Sequence, residues 1–196
     1  MEQRITTERG SILGSSPARP IPIGVLAKTT ILHGDRQPTP ETFNLEITLL
    51  SVVRGKAALD RIRAEGVSDQ PPKAGFEYVL ALIRFGYFRK ARSSSAPPVY
   101  ALQQGSFRPA SADGRTEYEN PSLMTQPQPQ LVDVSFSVGD SREGWIALEV
   151  PEEEKQPLLV FHRAPAAASY GVWGSVWFKL YAFDPMCIDS SCPDCR

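Results

Sequence analysis

Hydrophobic and polar positions alternate with period two along several short stretches, and that alternation sets the expected elements. Phe43, Leu45 and Ile47 alternate with Asn44, Glu46 and Thr48, the pattern of a strand with one buried face. At Leu49-Leu50 the apolar phase jumps to Leu50 and Val52. This predicts a β-bulge or a change of exposure, because one extra residue moves every later side chain to the other face. Residues 76–88 are apolar in both phases, with Phe76, Tyr78, Leu80 and Leu82 in one and Val79, Ala81, Ile83 and Phe85 in the other. Such a strand belongs at the centre of a sheet, covered on both sides. The expected second cover is the preceding helix or a neighbouring loop.

Further strands are predicted over 25–31, 99–107, 131–138, 145–150, 158–161 and 172–183. Pro20 and Pro22 forbid a central strand at 19–24 but suit an edge strand or its approach. One helix is predicted over 56–65, where Ala57, Ala58, Leu59 and Ile62 are separated by charged residues and Gly66 supplies the stop. A helix of that length does not stand alone in water, so it must pack onto something.

Composition sharpens this picture. The chain has 18 Pro and 14 Gly among 196 residues, enough to break any long helix and to turn the chain often. Short strands spaced by turn residues, with one helix, predict an all-β fold. The expected form is an antiparallel immunoglobulin-like β-sandwich of about seven or eight strands, its helix inserted between the second strand and the central one. Residues 1–18 are expected to be a polar tail, 19–183 the sandwich, and 184–196 a cysteine-bearing tail. Lys and Arg number 21 against 22 Asp and Glu, which argues against a face built to collect nucleic-acid phosphates. No apolar run approaches the ~18 residues of a membrane-spanning helix, and Met1-Glu2-Gln3-Arg4 leads into no apolar signal-peptide core.

Several local patterns fall in order: Arg19-Pro20-Ile21-Pro22-Ile23-Gly24, then Val53-Arg54-Gly55-Lys56-Ala57-Ala58, then Pro71-Pro72-Lys73-Ala74-Gly75-Phe76-Glu77-Tyr78. Gly144-Trp145-Ile146-Ala147-Leu148-Glu149-Val150-Pro151, Leu158-Leu159-Val160-Phe161 and Trp177-Phe178-Lys179-Leu180 complete them. Together they resemble the bacterial immunoglobulin-like domains of unknown function found in secreted proteins and lipoproteins, a group that includes the secreted immunoprotective antigens. The resemblance spans about residues 19–183. It implies an extracytoplasmic, cell-envelope setting and no catalysis, and it carries over no site residues.

The chemistry-bearing residues are few. Cys187, Cys192 and Cys195 stand in Cys-Ile-Asp-Ser-Ser-Cys-Pro-Asp-Cys-Arg. They offer three thiolates to a metal that would need His33 or His162 as its fourth ligand. The alternatives are a local disulfide, free thiols or, in an oxidising compartment, a disulfide to a second molecule. No cofactor is predicted. Trp145, Trp173, Trp177, Tyr181 and Phe183 lie opposite the apolar phase of their own strands. Open to solvent they would anchor a protein partner or stack on the sugar rings of a glycan; otherwise the helix, the tail or the Pro-rich connection covers them. Arg84, Arg89, Lys90 and Arg92 form a basic cluster that would steer an acidic partner or be a solvated loop. With two His and no Ser in Gly-x-Ser-x-Gly, a nucleophilic triad has little to draw on, and the chain is read as a binding module rather than an enzyme. Loops 89–98 and 119–130 are the expected presenting segments.

Overall fold

The computed structural model describes residues 13–33, 41–89, 99–123, 126–162 and 175–181. Nine strands form among them, with antiparallel pairing throughout. The larger sheet runs in the order β1 (Leu26–His33), β2 (Glu41–Arg54), β3 (Phe76–Arg89) and β7 (Ser141–Pro151). A smaller sheet runs in the order β5 (Phe107–Ala110), β8 (Leu158–Phe161) and β9 (Val176–Lys179). Between them β4 (Tyr100–Leu102) pairs with β6 (Val134–Phe136).

The bulge lies where the phase jump places it. β2 slips against β3 between Leu49 and Ser51, so Leu49 faces the core before the slip and Val52, opposite Ala81, packs against it afterwards. The strand predicted over 99–107 is instead two strands. A 3-10 turn at Gln104–Ser106 breaks it and sends β4 and β5 to different partners.

One core joins the two sheets in a sandwich-like arrangement. The Phe85 ring of β3 lies 5.6 Å from Tyr100, 5.0 Å from Phe136 and 5.9 Å from Phe161, so a single side chain touches three other strands. The opposite face of β3 has its own cover. Helix α1 (Gly55–Ala64) starts on the residue after β2 ends and sets Ala58 and Ile62 against Tyr78, Leu80, Trp145 and Ala147. It stops as its sequence predicts: Gly66 takes φ +65°, and the Gly66 and Val67 N–H groups donate to Arg63 and Ile62 carbonyls, a Schellman closure.

Two connections are held tightly. Residues 129–131 cross β7 at Gly144, where an added Cβ would fall 2.7 Å from the Pro129 oxygen and 2.8 Å from the Leu131 nitrogen. Residues 13–18, expected in the tail, belong to a hydrogen-bonded segment. The Trp177 N–H donates to the Gly14 oxygen, the Ile21 N–H to the Trp177 oxygen and the Lys179 N–H to the Ile21 oxygen. Ile21 is thus bridged to Phe178 in a parallel sense. It offers both its backbone groups to β9, and Pro20 and Pro22, having no N–H to give, sit at the alternate positions that face away. The described helix α1 is far too short to cross a membrane, and among the described residues no helix is long and apolar enough to do so.

Candidate functional site on the outer face of the smaller sheet

Alternation divides β8 and β9 into two faces. Leu159, Phe161, Val176 and Phe178 enter the core, so Leu158, Val160, Trp177 and Lys179 take the other face, where Leu158 and Val160 are also buried and Trp177 and Lys179 are half-buried. Val160 pairs with Trp177 and Phe161 with Val176, and one step further along this hairpin His162 meets Ser175. The Ser175 hydroxyl lies 3.2 Å from His162 Nδ1. From the return segment after β5, Glu117 places a carboxylate oxygen 2.9 Å from His162 Nε2. The His162 N–H donates to the Ser106 oxygen, which fixes the backbone that carries the ring.

The hydrogen-bond directions follow from the groups themselves. An ionised carboxylate only accepts, so Nε2 carries a hydrogen, and in the neutral imidazole Nδ1 then keeps its lone pair. In that form the Ser175 O–H donates to Nδ1. The His162 and Glu117 side chains are each 34% exposed, so the cluster is partly open to solvent. Among the described residues no group of three or more His, Cys, Asp and Glu could hold a metal ion.

Trp177 follows Ser175 by two residues, and Tyr181 lies four residues further on. Trp177 and Tyr181 are half-buried, and Lys179 Nζ lies 5.6 Å from the Tyr181 ring. Burial pushes the Tyr181 phenol pKa up. Pro17 and Gly114 crowd beside Trp177: a Cβ on Gly114 would fall 2.2 Å from Pro17 Cγ and 3.2 Å from Trp177 Cη2.

The other predicted anchors are placed differently. Trp145 lies on the outer face of β7, as its phase predicts, yet it is 7% exposed. Helix α1 covers it, and the Arg61 guanidinium sits 3.9 Å over its ring, so Trp145 serves the helix contact and offers no free surface. Trp145 and Trp177 therefore stand on different sheets and do not make one aromatic patch. Arg89 is half-buried at the end of β3, 5.8 Å from the Phe43 ring. The connection over 119–130 is tied down where it is described: Asn120 donates to the Gln104 and Phe107 carbonyls, Gln128 N–H to Glu65 and Trp145 N–H to Pro129. Lys90, Arg92, Trp173, Phe183, Cys187, Cys192 and Cys195 lie outside the described residues, as does the side chain of His33.

Ser175, His162 and Glu117 come from three separate segments with no diagnostic spacing. The readable signal is positional: His162 follows the 158–161 strand and Ser175 precedes the apolar run at 176, so a hairpin between those strands sets them opposite. Comparison with protein-family models, curated proteins and solved structures finds no match to this chain.

Proposed function

We propose that this chain is an extracytoplasmic immunoglobulin-like module that recognises a protein partner through the outer face of the smaller sheet and its adjoining loops. The observation that carries this reading is the placement of Trp177 and Lys179 on one face of β9, with Tyr181 just beyond its end and both aromatics half-buried. The inner face of the same strand is spent on the core. Tryptophan and tyrosine beside a cation are the side chains that most often anchor interfaces, since each buries a large rigid surface at small entropic cost. The antiparallel sheets around one core support the immunoglobulin-like part of the reading, and the sequence resemblance supports the envelope setting.

The test is an affinity measurement against a partner trapped by a photo-crosslinking residue placed at position 179. Trp177→Ala is expected to weaken binding about thirtyfold or more, the effect of losing a hot-spot side chain of ~2 kcal/mol. Arg63→Ala, an exposed position on α1, is expected to change nothing. Unchanged affinity in Trp177→Ala with a folded protein defeats the proposal.

A second reading, a carbohydrate-binding β-sandwich module, is favoured by the same two rings, because exposed aromatic faces stack on sugars. Binding on a glycan array that disappears in Trp177→Ala would select it over a protein partner.

A further inference from the structure

We propose that Ser175 is a nucleophile, activated by His162 and Glu117, that accepts the acyl group of a small ester. This goes beyond recognition and stands independently of what the face binds. Three observations carry it. The register of β8 against β9 sets the residue after one strand opposite the residue before the other, and the Ser175 hydroxyl lies 3.2 Å from His162 Nδ1. The Glu117 carboxylate accepts from Nε2–H, so in the neutral ring the lone pair of Nδ1 faces the serine hydroxyl. The cluster is partly open to solvent, and Trp177 lies two residues along the same face of the strand, an apolar surface for the acyl chain.

The chemistry balances within these groups, an ester and water. The Ser175 oxygen attacks the ester carbonyl carbon and forms a C–O bond while its proton passes to His162 Nδ1. The Glu117 carboxylate, hydrogen-bonded to Nε2–H, stabilises the imidazolium. The bond to the leaving alcohol breaks, and the alcohol oxygen takes the proton from Nδ1. Water then attacks the acyl-serine and gives a proton to Nδ1. That proton returns to the Ser175 oxygen as the carboxylic acid leaves.

The experiment treats the full chain with a fluorophosphonate and, separately, with p-nitrophenyl acetate. The expected result is one phosphonyl adduct per chain, located on Ser175 by peptide mass spectrometry. The adduct is expected to be absent in Ser175→Ala and to form at least a hundredfold more slowly in His162→Gln, the usual loss on removing a general base. Acetate release is expected to fall in the same variants, and Glu117→Gln to slow both reactions about tenfold or more. An adduct on another residue, no adduct at all, or an unchanged rate in folded His162→Gln overturns the proposal. The adduct site on the unaltered chain decides the matter even if a variant fails to fold. Partner binding by Trp177 is a separate measurement, so either proposal can fail without the other.

Discussion

Tyr100 shows how a single polar atom can work against its surroundings. Its ring is stacked on Phe85 and tilted on Tyr87, 5.6 and 5.5 Å between centroids, and among the described residues its buried hydroxyl has no hydrogen-bond partner. Burial first, and the neighbouring Tyr87 second, push its pKa far above that of an ordinary phenol. The folded protein therefore prefers the neutral form, and the contribution is intact below pH ~10, where the unfolded chain's tyrosine is also neutral. Above that the unfolded chain ionises first and stability falls as pH rises. Tyr100→Phe is expected to be neutral at pH 7 or to gain up to about 1 kcal/mol, because no bond is lost and an unpaired oxygen is removed from the core. It should also lose less stability between pH 9 and 11, which urea denaturation of both proteins at each pH would reveal. Residue-scale legibility is mixed for a physical reason. Alternation correctly set Trp145 opposite the apolar phase of β7, but period two reports which face a side chain takes, not what lies over that face. His162 and Ser175 meet through a hairpin whose pairing no local pattern encodes.

The elements read well wherever their signal is local. The bulge at Leu50, the two-faced strand β3 and the Gly66 stop all follow from residues within a few positions of each other. The break between β4 and β5 does not, because the choice of partner for each half is made across the fold. Helix α1 depends most on its setting. Ten residues with little capping, since Arg54 at its start makes no side-chain cap, hold together through Ala58 and Ile62 pressed on β3 and β7. Ile62→Ala is expected to cost about 2–4 kcal/mol in chemical denaturation, the range for emptying a fully buried Ile site. It should also raise Trp145 fluorescence quenching by iodide, since the helix is the cover of that ring. A loss below about 1 kcal/mol would mean that the outer face of β3 is sealed by something other than α1.

At the scale of the whole molecule, a core shared between two antiparallel sheets is what the alternating runs and the Pro and Gly content together require. The mutual placement of the sheets had to come from the structure. So did the role of the first described residues. Ile21 is 3% exposed and shares two hydrogen bonds with β9, donating one and accepting the other, and its burial and these bonds are worth together about 3 kcal/mol. A chain lacking residues 1–23 is accordingly expected to be less stable by about that amount than one lacking residues 1–12, as calorimetry or urea titration would show. Equal stability would mean that β9 holds its place without this segment. The same pairing also orders events during synthesis. The residues of β1, β2, α1 and β3 leave the ribosome early and can settle against one another at once. Ile21, made before any of them, has its partner far along the chain at Phe178, and at about 5–20 residues per second it waits on the order of ten seconds for that residue to be made. Until then the Ile21 side chain and its two backbone groups are without the strand that buries and pairs them in the finished fold.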